Sequence, residues 1–98
     1  RKKGKLPYKT ISETYSLEYG EDTVEIHIDA IKKNQNILLV DDLIATGGTA
    51  NASAKLIKNL DGFIQECCFI IDLPELGGSN NLKQSGFNVF SVLSLEEK

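Results

Sequence analysis

Methionine is absent from all 98 residues, and the first residue is arginine. An intact reading frame starts with methionine, so the chain reads as an excised or processed piece of something longer. An excess of positive charge is lacking too. The 11 basic and 14 acidic residues leave a net charge of −3 and a pI near 5.1. That balance offers no bulk attraction to nucleic acid or to an anionic membrane. No apolar run approaches the ~20 residues that span a bilayer, and no apolar signal-peptide core follows the basic start "RKKGKLPYKT". Cysteine is scarce. Cys67 and Cys68 are neighbours in a strand-like run, so their side chains point to opposite faces and a disulfide between them is not expected. They read as packed in a sheet, in a reduced, cytoplasmic setting. Repeats and low-complexity tracts are missing, and the length suits one small domain.

What is present alternates between two patterns. In "TVEIHID", residues 23–29, Val24, Ile26 and Ile28 fall on one face and Glu25, His27 and Asp29 on the other. That is a half-buried antiparallel strand. With "TYSLEYG" before it and Gly20 between, it predicts a long hairpin. His27, on the polar face without a partner at metal-ligand spacing, reads as a solvated surface histidine. From residue 36 the pattern changes. "ILLV" (37–40) is a continuous apolar run, expected of a strand covered on both faces and ended by Asp41 and Asp42. A helix is predicted over about 49–60, with Ala50, Ala54 and Ile57 on one stripe extended by Ser53 and Leu60, and Gly62 as its left-handed cap. "ECCFIIDL" and "NVFSVLSL" read as further buried strands. Between them "GGSNNLKQSG" reads as a turn and a short helix, capped by Ser79 and stopped by Gly86.

The fold class is therefore α/β: a parallel β-α-β-α-β unit preceded by an antiparallel hairpin. Two helices cannot cover both faces of three apolar strands. Further elements upstream are expected to supply the rest, and residues 1–98 alone are expected to aggregate or remain partly unfolded.

In open parallel sheets, ligands sit beyond the carboxyl ends of the strands. Asp41 and Asp42 fall at that rim, and residues 45–49, "ATGGT", lead from it into a helix N-terminus. Unpaired backbone N–H groups and the helix dipole favour an anion there. Gly47 and Gly48 admit close approach of a phosphate, and Thr46 and Thr49 add hydroxyl donors. Each part has a plain alternative: a tight turn for the glycines, a solvated strand end or a magnesium site for the aspartates. A Walker loop needs a lysine after its glycines, and a dinucleotide fingerprint needs G-x-G-x-x-G; both are absent. Together, a phosphate-attracting loop beside hydroxyl-binding carboxylates fits a 5-phosphorylated ribose.

"ILLVDDLIATGGTA" resembles the phosphoribosyl-diphosphate (PRPP) binding motif of type I phosphoribosyltransferases, and "RKKGKLP" and "ISETYSLEYGEDTVEIHIDAI" resemble the adenine-specific members. The resemblance runs from Arg1 to about Leu95. It implies the C-terminal portion of a single Rossmann-like domain: a flexible catalytic hairpin at 1–30, the PRPP-binding strand, loop and helix at 36–62, and the remaining strands and short helix at 63–95. It implies that Asp41 and Asp42 bind the ribose hydroxyls and that Ala45, Thr46, Gly47, Gly48 and Thr49 wrap the 5′-phosphate. Leu43 would press on the adenine ring. Glu18 would act as catalytic acid or base with Tyr19 closing over the site, and Lys2 and Lys5 would lie near the diphosphate. The implied reaction takes adenine and PRPP to AMP and diphosphate, with magnesium carried by PRPP and water rather than by direct protein ligands, in a homodimer. A PRPP-sensing regulator and a transferase for another purine such as xanthine are the alternatives.

Overall fold

The computed structural model describes residues 1–17 and 19–96. Strands β1 (Thr10–Ser16) and β2 (Glu21–His27) form an antiparallel two-stranded sheet in which Thr10 pairs with His27 and Ser16 with Glu21. Strand β3 (Asn36–Ile44), helix α1 (Gly48–Asn59), β4 (Phe63–Asp72), a 3-10 turn (Pro74–Leu76), helix α2 (Gly78–Gln84) and β5 (Val89–Ser94) follow. The second sheet is parallel, with strand order β3-β4-β5. The expected β-α-β-α-β unit with a preceding hairpin is what forms.

Two apolar clusters hold these pieces. The larger joins Ile44, Ala50, Ala54, Ile57, Ile64, Cys67, Phe69 and Leu82, so α1 and α2 pack on one side of the parallel sheet. The smaller joins Val24, Ala52 and Leu56, with Ile11, Tyr15 and Ile26 against it. Helix α1 thus buries two faces, one toward the sheet and one toward the hairpin. The stripe of Ala50, Ala54 and Ile57 is only the first of them, because a single period-3.6 stripe does not reveal a second neighbour.

The opposite face of the parallel sheet is bare. Leu38, Val40, Ile70, Phe90 and Val92 are each more than half exposed, and the pairing of Val40 with Cys68 and of Cys68 with Phe90 sets them side by side. The run 37–40 is therefore covered on one face, where Ile37 and Leu39 join the larger cluster, and not on both.

Several local expectations are corrected. Strand β3 does not end at Asp41 and Asp42. It runs on to Ile44, pairing Asp41 with Phe69 and Leu43 with Ile71, since ladder hydrogen bonds use the backbone and ignore side-chain polarity. The left-handed residue after α1 is Asp61 (φ 62), not Gly62. Asp61 N–H donates to Lys58 O and Gly62 N–H to Ile57 O, the paired bonds of a Schellman motif. Gly62 is required for packing instead: a Cβ there would lie 2.9 Å from Ile57 Cγ2 and 3.0 Å from Ile31 Cγ2. Ser79 is not a cap. Gly77 holds that position without a side-chain bond, and Ser79 is buried within α2. Gly86 does stop α2, at φ 95. His27 is half-buried rather than fully solvated: its ring meets Tyr8 edge-on at 6.1 Å, and its Nε2 is buried without a hydrogen-bond partner among the described residues.

Both cysteines are free, Cys67 buried and Cys68 half-buried. Burial pushes both thiols up from their ordinary value, with neighbouring Glu66 acting in the same direction. No helix among the described residues is long and apolar enough to cross a membrane.

Candidate active site

The carboxyl end of β3 opens onto a shallow depression of about 150 Å³, lined by Tyr15, Leu17, Asp41, Leu43 and residues 44–50. Its floor is the turn into α1. Gly47 holds the N-cap position at φ 88, a conformation that disfavours any side chain. The first intrahelical bond runs from Asn51 N–H to Gly47 O at 2.8 Å, which leaves the amides of the first turn without helical acceptors. Among the described residues no side chain caps this end of α1, and its first turn holds no acidic residue. The positive end of the helix dipole is thus left open to an external anion.

The shape of the turn is fixed from behind by α2. Gly78 N–H donates to Ala45 O at 3.0 Å. A Cβ on Gly78 would stand 2.6 Å from Ala45 O and 2.7 Å from Gly47 N, and a Cβ on Gly47 would stand 2.8 Å from Gly78 Cα. Gly78 is therefore more than part of a turn: its missing Cβ lets α2 press its backbone against the loop, while Gly77, with open space around it, turns the chain at φ 87. From in front the hairpin covers the turn: the Tyr15 ring lies where a Cβ on Gly48 would be, 2.8 Å from Cδ2. The Tyr15 hydroxyl is 2.9 Å from Thr49 Oγ1 and accepts a hydrogen bond from Lys2 Nζ at 2.7 Å.

Of the residues singled out by sequence, Asp41, Leu43, Ala45, Thr46, Gly47, Gly48 and Thr49 come together around the depression. Asp42 is exposed next to Asp41, whose Oδ1 accepts its N–H at 2.8 Å, but it does not line the depression. Adjacent residues of a strand face opposite ways. Lys2 and Lys5 line a different, larger cleft of about 460 Å³ between β2 and α1, whose floor of Val24, Ile26, Leu39, Leu56 and Ile57 is apolar and ill-suited to phosphate. Lys2 is paired with Asp22. That ion pair raises Lys2 above its usual value and lowers Asp22 below its own. Tyr19 is almost wholly exposed. Glu18 lies outside the described residues. Sequence reasoning missed Tyr15, Leu17 and Gly78. The signal for Tyr15 was its alternate-residue spacing from Ile11, which puts both on the buried side of β1.

Residues 5–89 match the family model described as the phosphoribosyl transferase domain. The chain belongs to the phosphoribosyl transferase domain family. Its loop at 45–49 thus sits in the family's own domain, and close relatives carry more specific names. The adenine phosphoribosyltransferase of Nitrosomonas europaea is 57% identical over 97 residues, covering 99% of this chain and 56% of that protein. The crystal structure of adenine phosphoribosyltransferase from Rhodothermus marinus superposes with a TM-score of 0.91 at 49% identity, over 97% of this chain and 53% of that one. The Saccharomyces cerevisiae enzyme, solved with adenine and D-2,5-dideoxy-2,5-imino-altritol 1,6-bisphosphate, gives 0.88 at 41% identity over 95% of this chain and 51% of that one. The chain spans about half the length of these phosphoribosyltransferases.

Proposed function

We propose that the protein carrying this chain is an adenine phosphoribosyltransferase that converts adenine and PRPP to AMP and diphosphate. The observation that carries the reading is the uncapped N-terminus of α1, opening beside Asp41 on a turn whose two glycines carry no side chain of their own. The 5′-phosphate rests on the amides and hydroxyls of residues 45–49. Asp41, with Asp42, takes the ribose hydroxyls, and Leu43 meets the purine. Likeness to relatives named for adenine, one of them solved with adenine bound, supports that base over xanthine.

In the proposed reaction the bond from ribose C1 to diphosphate breaks as a ring nitrogen of adenine bonds to C1. The ring N–H proton passes to the Glu18 carboxylate. C1 is oxocarbenium-like between the two events, and water would capture it, so closure of residues 1–30 with Tyr19 over the site excludes that water. The same closure would bring Lys2 and Lys5 from the larger cleft, which they line, to the diphosphate side. Magnesium, when bound, would be carried by the diphosphate of PRPP and by water, and would supply neutralising charge to the leaving diphosphate. Among the described residues no three acidic, cysteine or histidine side chains are grouped to hold an ion themselves. A homodimer in the cytoplasm is the proposed working state.

The test is conversion of labelled adenine by the full-length protein with PRPP, alongside calorimetric titration of PRPP. Turnover to AMP is expected. PRPP binding without turnover would instead favour a PRPP-sensing regulator, and turnover with xanthine but not adenine would move the base assignment.

A further inference from the structure

Tyr15 stands where the hairpin meets the anion turn, and its contacts are of two separable kinds. The ring covers Gly48, leaving no room for a Cβ on that residue. The hydroxyl sits among Lys2, Thr49 and Asp22, with Asp22 Oδ2 the more distant at 3.5 Å.

A tyrosine hydroxyl has one proton to give, and a lysine ammonium can only donate. Lys2 donates to the Tyr15 oxygen and also to Asp22, so that carboxylate already has a strong donor. At 2.9 Å against 3.5 Å, the geometry favours Thr49 Oγ1 over Asp22 Oδ2 as the acceptor of the Tyr15 proton. Thr49 cannot then donate back to Tyr15. Its own proton turns elsewhere, and Thr49 lines the depression at the open end of α1.

We infer that Tyr15 is the positioning residue that couples the hairpin to the anion turn: its ring seals Gly48, and its hydroxyl directs the Thr49 proton toward a bound phosphate. Donation runs in one sense, from Lys2 through Tyr15 and Thr49 to the anion, and it is complete only while the hairpin is docked. Binding of the phosphate thus favours the docked hairpin, and a docked hairpin favours the phosphate, by the same factor. The inference rests on the PRPP reading above, and extends it to a residue that does not touch the reacting atoms.

The experiment uses the full-length protein and its Tyr15→Phe variant, which keeps the ring on Gly48 and removes only the hydroxyl. PRPP affinity is measured by calorimetry, and amide exchange across residues 10–27 is followed with and without PRPP. In the unsubstituted protein PRPP is expected to slow that exchange. In the variant, affinity should fall roughly tenfold, the scale of one hydrogen bond, and the PRPP-induced slowing should disappear. A merely structural role would alter exchange equally with and without PRPP. The ring is tested without PRPP: Gly48→Ala should lower the thermal midpoint, and by less in a Tyr15→Ala background. PRPP binding and exchange in Tyr15→Phe indistinguishable from the parent would overturn the inference while leaving the PRPP reading intact. An identical Gly48→Ala penalty in both backgrounds would also overturn it. Failure of the unsubstituted protein to bind PRPP would overturn both.

Discussion

The turn at residues 45–49 and the hairpin β1–β2 touch at Tyr15, yet they are anchored by different means. The turn is gripped by backbone, between the end of β3, the start of α1 and the start of α2, with Gly47 and Gly78 close enough to exclude a Cβ from either. The hairpin is held by side chains: the small cluster of Val24, Ala52 and Leu56, the Tyr15 contacts, and a surface pair between Lys55 and Glu13 at 3.7 Å. Backbone packing of the first kind has little freedom to adjust. A small satellite cluster can open at modest cost while the main core stays closed. On the proposed reading, a site that holds a phosphate and admits a second substrate needs one part of each kind.

The largest effect expected from disturbing this division is on turnover. Glu18→Gln keeps size and hydrogen-bonding capacity but loses proton exchange, so kcat should fall about 10²–10⁴-fold. PRPP affinity, which the proposed reading places on the turn, should scarcely change. Equal turnover in the variant, measured at saturating PRPP, would remove Glu18 from the chemistry.

Next comes the hairpin's anchor. Leu56 is 2% exposed, and Leu56→Ala should cost about 2–5 kcal/mol. The loss should be uneven, with amide exchange rising in β1 and β2 well before β3–β5. Uniform acceleration across both sheets would show that the hairpin and the parallel sheet open as one unit.

Gly78→Ala probes the other side. It should cost about 1–3 kcal/mol through overpacking, and displace the turn enough to abolish PRPP binding seen by calorimetry, although Gly78 itself does not line the depression. Unchanged affinity would mean that the turn keeps its shape without α2 behind it.

The smallest effect is electrostatic. Asp22, held below its usual 3.8 by Lys2, stabilises the hairpin and the segment before it above that value, and the contribution is lost as pH falls through its lowered folded-state value. Lys2, held above its usual 10.5 by Asp22 and Tyr15, contributes below that value and loses its contribution as pH rises through its raised one. Both groups are exposed, so the effect is slight. Hairpin exchange, corrected for intrinsic rates, should be flat across neutral pH and rise only in acid or strong base. Asp22→Asn should shrink the acid limb and leave the part supplied by Glu25, which the Gly4 N–H and the Thr10 hydroxyl hold below its usual 4.5.

The central unit was legible because its signals are local. An apolar run, two glycines and a periodic stripe fix the start of β3, the turn and α1 within a residue or two, and the alternation around Val24 and Ile26 marks β2. What escaped depends on neighbours distant in the chain. Nothing in "VDDLI" says whether backbone pairing continues past the aspartates; β4 decides that. Nothing in "LDGF" distinguishes a glycine needed for its dihedral angle from one needed for its missing Cβ, and Ile31 decides that. Ala52 and Leu56 looked off-stripe until the hairpin supplied a second face for α1. Tyr15 and Gly78 joined the site for the same reason, each arriving from an element whose docking the local pattern does not encode.

The contacts of the glycines around the turn also decide which mutational routes are open to it. At Gly48 a new side chain collides with the Tyr15 ring, and a smaller partner at position 15 can make room. Two successive substitutions could therefore cross from one viable sequence to another. At Gly47 and Gly78 the collision is with backbone atoms that every residue carries. No change of partner relieves it, and no second step rescues the first. A library that randomises the turn should recover exchanges at 48 paired with exchanges at 15, while 47 and 78 return glycine whatever surrounds them.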